Sequence, residues 1–297
     1  MHGARNVGGG EYSIYFLIKN LHRNIFEPIV FYSHENEIIK SLRKDGIQLI
    51  NIPMSEKITS VYRDKIEKNP VSFIIYIRHL ISGIIAVAKA LKKYNINILH
   101  PHDNLSKIIG GIAAKMAGVK VVAHCRDLLK ESFVEKMLLI YQLLFMNKII
   151  AVSESNRNLF KIMGKAPEKV HTIYNGIDLS KFASVRGYAR RELEIGDDAV
   201  VIGVIAVFDK CKGHIYLFHA IDKLIAEGYK NIICLVVGDG REREELEGFV
   251  ADRGLSDHIR FLGYRNDVPE LMAIIDMVVM PSIQDSFPRV PLEAMAM

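Results

Sequence analysis

Short apolar runs rich in valine and isoleucine recur along this chain, each separated from the next by a stretch with helical spacing. Strands are predicted at 28–32, 48–52, 96–100, 120–124, 148–152, 170–174, 200–207, 232–237, 259–262 and 277–280. Most lack the polar alternation of a half-exposed strand, so both of their faces must be covered. Helical patterns over 11–21, 105–117, 153–163, 213–227 and 241–253 supply that cover. Strand–helix alternation on this scale predicts an α/β fold, with parallel sheets packed between helices.

The alternation breaks once. Between Asp178 and Asp198 the text turns polar and basic, and a fresh apolar run opens at Val200. Two α/β domains are therefore expected, 1–180 and 198–297, joined by a linker at 181–197. Apolar residues are 49% of the chain, enough for two packed cores. Both ends read as incomplete. Gly8-Gly9-Gly10 enters a helical pattern with no strand before it, and the last helical segment stops at Met297. In a βαβ unit a glycine-rich turn normally follows a strand.

The net charge of +5 is mild for this length. It suits an anionic substrate or a membrane surface, and we expect no nucleic-acid partner. Cys125, Cys211 and Cys234 lie far apart without a CxxC pair, the pattern of reduced thiols in a cytoplasmic protein. The N-terminus lacks the apolar core of a signal peptide. The longest apolar stretch, 73–91, is interrupted by Arg78, His79 and Lys89. It reads as a core helix rather than a span, with a membrane-surface helix as the alternative.

Chemistry-bearing residues collect where predicted strands end. Gly8-Gly9-Gly10-Glu11 opens a helix and lets backbone approach a phosphate. His100 and His102 flank Pro101, and the next strand ends in His124-Cys125-Arg126-Asp127. Their spacing is not that of a known zinc site, so no metal is expected. Asp209-Lys210-Cys211-Lys212-Gly213 forms a basic strand–helix turn, a natural seat for an anion. Gly238-Asp239-Gly240 ends another strand, but position 243 is Arg and the dinucleotide fingerprint is incomplete, which argues against an oxidoreductase. Last come Asp285 and Glu293. Pro288 and Pro291 fit a helix only in its first turn, so the helix is predicted to start near 287–288, leaving Asp285 outside and Glu293 in the second turn. Each feature also has a plain reading taken singly: a glycine tail, a satisfied histidine beside a surface Arg–Asp pair, a solvated basic loop, a solvated acid.

Taken together and in order, these segments resemble the large glycosyltransferase family 4, with the GT-B fold. The resemblance rests on Gly8-Gly9-Gly10-Glu11, 151–157, 170–182, Lys212-Gly213, 236–240, 261–268 and the acid-x7-acid region 281–296. It implies two Rossmann-like domains facing a cleft and sugar transfer from a nucleotide-sugar to an acceptor with retention of configuration. The donor is a co-substrate, and no cofactor or obligatory metal is implied. By the same resemblance Glu293 binds the donor ribose, Asp285 contacts the donor sugar, and Lys212, with Lys210, holds the diphosphate. Gly238 borders the base or ribose, Gly9 and Gly10 approach the diphosphate or acceptor, and His124 and Arg126 stand at the first domain's catalytic position. The implied partners are a nucleotide-sugar and a glycan or lipid-linked acceptor, with peripheral contact at the inner face of the cell membrane. Departures from the family pattern are Asp285 for Glu, Ala206 and Val207 for Gly and Arg, and Arg126-Asp127 for a His-Asp pair. They leave a non-catalytic, nucleotide-sugar-binding relative as the alternative.

Overall fold

All strand pairs among the described residues are parallel, which is what apolar runs without alternation require. The computed structural model describes residues 9–55, 70–126, 133–163, 167–182 and 190–297. The chain divides into two compact units, Met1–Tyr174 and Asn175–Met297.

In the first unit the elements run α1 (Gly9–Lys19), β1 (Ile29–Tyr32), α2 (Glu37–Lys44), β2 (Gln48–Asn51), α3 (Pro70–Lys93) and β3 (Ile98–Leu99). They continue with α4 (Asn104–Ala117), β4 (Lys120–Cys125), α5 (Phe133–Phe145), β5 (Lys148–Ala151), α6 (Glu154–Leu159) and β6 (Val170–Thr172). β1 pairs with β2, and a four-stranded sheet has the order β3-β4-β5-β6. Local signals set the helix ends. Asn36 caps α2 by accepting from the Ile39 N–H at 2.9 Å. Asp103 and Ser106 form a reciprocal capping box on α4, and Gly118 closes that helix in the left-handed region. The core gathers Leu91, Ile109, Ala113, Val121, Ala123, Ile149, Ala151 and Phe160, all fully buried. α4 sits close to α5 because Gly111 has no Cβ; one there would lie 2.5 Å from the Tyr141 hydroxyl oxygen.

The predicted core helix is α3. Gly83, Ile84, Val87, Ala88 and Leu91 form its buried face. Residues 74–93 are long and apolar enough to cross a bilayer by length and composition, and a third of the most apolar stretch is buried in the fold.

The second unit contains β7 (Val200–Ile205), α7 (His214–Ala226), β8 (Ile232–Val237), α8 (Arg243–Asp252) and β9 (Ile259–Gly263), then α9 (Val268–Met272), β10 (Met277–Val278) and α10 (Val290–Met295). Its sheet order is β10-β7-β8-β9. The chain moves outward from β7 to β9 and then returns to the far side of β7, so the topology switches direction beside β7. Both faces are filled. Phe208, Phe218, Ile221, Cys234 and Val236 lie in one cluster, and Ile195, Val201, Leu235 and Ile274 in another. Burial pushes the Cys234 thiol up to about 12, so it acts as a small apolar side chain. Arg190, within the predicted linker, donates to the Ala199 carbonyl at 2.9 Å and pairs with Asp276 at 2.6 Å.

Several local expectations are corrected. β3 and β10 have two residues each, not the predicted five and four, and β7 stops at Ile205. α10 begins at Val290 rather than near 287–288. Asn175 Nδ2 donates to the Phe287 carbonyl at 2.8 Å, which keeps that residue in a loop conformation. Pro291 still falls at the helix start, where a missing N–H is harmless, but Glu293 lands in the first turn, not the second.

Phe218 is fully buried and meets Phe261 edge-on, with centroids 5.9 Å apart. Phe218→Ala should destabilise the second unit by about 3–5 kcal/mol, read as a lowered midpoint in urea denaturation.

Candidate functional site

In the second unit the loops leaving β7, β8 and β10 emerge at the carboxyl ends of parallel strands, the edge where open α/β sheets bind ligands. A single-turn 3-10 helix, Lys210–Lys212, follows β7 and is capped by the Asp209 side chain. The loop after β10 folds back onto it. Ile283 donates its N–H to the Cys211 carbonyl at 2.9 Å. Gly213 has φ 68°, and a Cβ there would sit 2.2 Å from the Pro281 carbonyl oxygen. Only glycine permits that contact. It brings Lys212 Nζ to Asp285 Oδ2 at 2.5 Å, with both side chains partly buried.

Glu293, in the first turn of α10, pairs with Arg289 at 3.1 Å, and both side chains are largely buried. Arg289 escaped the sequence reading, although the four-residue spacing to Glu293 is a standard helical pairing signal. Lys210 points away from this group. It is exposed and stands 3.9 Å from both Glu242 and Glu245. Gly238, at φ 144°, is tight against the chain itself: a Cβ would lie 2.0 Å from the Ala206 carbonyl oxygen. The β7 and β8 exits are thereby locked together, and Phe208 N–H donates to the Asp239 carbonyl at 3.0 Å. His214 opens α7 in a buried position, edge-on to Phe208, and desolvation holds its pKa down at about 4, with Lys212 adding to the effect.

In the first unit a different group forms at the ends of β3 and β4. His100 Nε2 and His124 Nδ1 share a hydrogen bond of 2.8 Å, and their rings stack with centroids 4.8 Å apart. His102 lies 4.4 Å from His100 by ring centroid. Its Nδ1 is buried without a hydrogen-bond partner among the described residues. Burial, then the Arg126 charge, lowers the pKa of His100 to about 4 and of His124 to about 3; His102 is lowered for the same first reason. Arg126 Nη1 donates to the Gly10 carbonyl at 2.7 Å, joining the strand exit to the first turn of α1. Gly9 and Gly10 are thus helical residues. Gly8 and Asp127 lie outside the described residues. The strand exit is supported from behind by buried Asn156, 3.8 Å from Cys125 Sγ.

The sequence reading set metal aside on spacing. The fold nevertheless brings ligand atoms of His100, His102 and His124 within 4.8 Å of one another, a set with the donor chemistry to hold a metal ion. Arg126 and Lys107 place positive charge beside it, which works against a divalent cation. Neutral imidazoles in this setting can accept hydrogen bonds from hydroxyl groups. The predicted residues therefore fall into two groups. Gly10, His124 and Arg126 gather in the first unit, while Lys212 and Asp285 touch in the second, with Glu293 and Gly238 on neighbouring strand exits and Lys210 turned aside.

Paired Rossmann-like units with charged loops at their strand exits define the GT-B class of fold. Residues 7–181 match the family described as Glycosyltransferase Family 4, residues 186–297 match glycosyl transferases group 1, and the chain belongs to this family. It is 28% identical over 228 residues to the Escherichia coli UDP-Gal:alpha-D-GlcNAc-diphosphoundecaprenol alpha-1,3-galactosyltransferase, covering 71% of this chain and 58% of that one. It is 30% identical over 243 residues to the putative glycosyltransferase EpsF of Bacillus subtilis, covering 77% of this chain and 60% of EpsF. The chain thus spans about three-fifths of the length of these curated relatives. Among solved structures, Anabaena HepE in complex with UDP-glucose superposes with TM-score 0.75 at 21% identity, covering 99% of this chain and 76% of HepE. WaaG, a glycosyltransferase involved in lipopolysaccharide biosynthesis, gives 0.64 at 15% identity, covering 100% of this chain and 77% of WaaG. These likenesses establish the GT-B fold.

Two predictions follow from the geometry. His100 and His124 have folded pKa values below their ordinary 6.5, so between pH 6.5 and about 4 the folded state binds fewer protons than the unfolded chain. Stability should therefore fall as pH drops through that window, by roughly 1.4 kcal/mol per pH unit for each imidazole. Urea titrations across the window measure the slope, and His124→Gln should flatten it. Gly213→Ala, forced into a left-handed conformation against the Pro281 carbonyl, should lower stability by about 1–3 kcal/mol, seen as a reduced melting temperature.

Proposed function

We propose that this protein is a retaining glycosyltransferase that moves a sugar from a nucleotide-diphosphate-sugar to a glycan or lipid-linked acceptor of the cell surface. The observation that carries this reading is the pairing of Lys212 with Asp285 across two strand-exit loops at the switch point of the second sheet. A cation and a carboxylate held together there match the two halves of a sugar diphosphate. Donor binding exchanges partners: the diphosphate takes Lys212, and the released Asp285 carboxylate accepts from sugar hydroxyls. Glu293, aligned by Arg289, receives the ribose hydroxyls, with Gly238 beside the base or ribose.

The barrier step is departure of a nucleoside diphosphate from an oxocarbenium-like centre. Lys212 and the start of α7, which has no side-chain cap, stabilise the charge that collects on the leaving group. This fixed positive charge serves where other enzymes use a metal, so the donor is the only co-substrate in the reading and no cofactor is required. Lys210 supplements the field once the diphosphate outcompetes Glu242 and Glu245. On the acceptor side, Arg126 and the neutral His124 cluster orient hydroxyl groups, and Gly9 and Gly10 leave the α1 backbone approachable. The Escherichia coli relative, named for an undecaprenol-linked substrate, supports a lipid-linked acceptor. Free Cys125, Cys211 and Cys234 support a cytoplasmic location, at the inner face of the membrane.

A specific observation keeps a second reading. Ala206 and Val207 depart from the glycine and arginine that the family resemblance implies, and Lys212 is engaged by Asp285. A relative that binds the donor without transferring its sugar fits these facts. Isothermal titration with UDP-, GDP- and ADP-glucose should show binding of one of them, and Glu293→Ala should weaken it about tenfold or more, roughly 1.4 kcal/mol, in a protein that still unfolds cooperatively. A folded protein that binds none of the three sinks the donor reading. Unchanged affinity in Glu293→Ala removes the ribose assignment, and binding without donor hydrolysis or transfer selects the second reading.

A further inference from the structure

The loops after β7, β8 and β10 carry the cations Lys210, Lys212, Arg241 and Arg289, and every one of them faces an acid. Lys210 and Arg241 are exposed and stand beside Glu242 and Asp209. Lys212 and Arg289 are largely buried, against Asp285 and Glu293. His214, at the start of α7, adds no charge near neutral pH, because burial holds its pKa down at about 4. Among the described residues these strand exits therefore hold no surplus of positive charge, although a surplus is the usual lining of a cleft that attracts a polyanion.

Two polyanions have to pass through the proposed donor site, and they differ at one oxygen. In a sugar nucleotide the terminal phosphate is esterified by the sugar. Transfer breaks the bond between the anomeric carbon and that oxygen, and the electron pair stays on the oxygen. The nucleoside diphosphate left behind ends in a phosphate whose second proton dissociates at about pH 6, so near neutral pH it carries an added negative charge. Either ligand has to draw Lys212 away from Asp285, because Nζ and Oδ2 are 2.5 Å apart. With the sugar nucleotide, sugar hydroxyls then donate to the freed carboxylate, and a hydroxyl-to-carboxylate bond is among the strong ones. With the bare diphosphate no sugar hydroxyl replaces Lys212, and the carboxylate stands unpaired beside the added charge. Taking one partner from a buried ion pair is the unfavourable way to break it. The start of α7, which has no side-chain cap, serves both diphosphates alike and does not discriminate.

We propose that Asp285 makes this site select the intact sugar nucleotide over the nucleoside diphosphate left after transfer, so that the product leaves readily. The inference rests on the donor reading above and adds to it the direction of the binding preference. The test is isothermal titration near neutral pH, in buffer without divalent metal, of UDP against UDP-glucose, GDP against GDP-glucose and ADP against ADP-glucose. For the nucleotide that binds, the sugar form should bind at least about tenfold more tightly than the diphosphate, the worth of one hydrogen bond to a charged group. Asp285→Asn removes the charge and keeps an oxygen that can accept from the Ser286 N–H. It should tighten the diphosphate by about tenfold and bring the two affinities close together. Val207→Arg, at an exposed position in the loop after β7, adds a cation and should narrow the preference too, which keeps the test decisive if Asp285→Asn fails to fold. A diphosphate that binds as tightly as its sugar form, or a preference that both folded variants leave unchanged, overturns the proposal. The preference without any transfer or donor hydrolysis sinks the transferase reading and leaves this one standing. Transfer with equal affinity for the two ligands does the reverse, and binding of neither ligand overturns both.

Discussion

A parallel strand buried on both faces cannot be joined to its neighbour by a tight turn. It needs a crossover long enough to cover the sheet, and the helix that makes the crossover leaves every strand exit on the same edge. Both units of this protein follow from that constraint. In the second, it sets the loops after β7, β8 and β10 side by side. In the first, it lines up the exits of β3 and β4, where the histidines meet. The chemistry of the molecule sits where backbone geometry has already concentrated loops.

The two sites differ in how charge is handled. At the β7 and β10 exits, opposite charges are paired and partly buried: Lys212 with Asp285, Arg289 with Glu293. The loop bearing Asp285 is held against the Lys212 turn through the Cys211 and Pro281 carbonyls, and the segment leading to Arg289 through the Asn175 side chain, which donates to the Phe287 carbonyl. A ligand with both anionic and hydroxyl groups can enter by exchange of partners, without leaving a charge stranded in a half-buried loop. At the β4 exit, desolvation and Arg126 keep the imidazoles neutral, so that site offers hydrogen-bonding nitrogens instead of charge.

Much of the candidate site could be read from residue order. Lys212, Asp285 and Glu293 were singled out because lysine at a strand–helix turn and an acid-x7-acid segment after a strand are local patterns. The meeting of Lys212 with Asp285 was not readable, because 73 positions separate them and only the fold of the 281–285 loop brings them together. Gly238 reads as a glycine for close ligand approach; the structure adds a reason that the sequence does not show, because the space a side chain would need is taken by the Ala206 carbonyl oxygen. Proline tolerance allows the last helix to start at 287–288, while the bond from Asn175 to the Phe287 carbonyl leaves its start at Val290. The histidine spacing argued against metal, but spacing along the chain says little about three nitrogens delivered by two different strands.

The sequence by itself determined the parallel α/β character, most of the succession of strands and helices, and which residue types stand at strand exits. Hydrophobic period, glycine and cap residues act over a few positions and can be read there. The tertiary structure alone decided which exits touch, which charges are paired, which side of α3 is buried and which faces outward. Those outcomes depend on contacts between distant segments and on the water each contact removes, and neither is encoded in any short stretch of the chain.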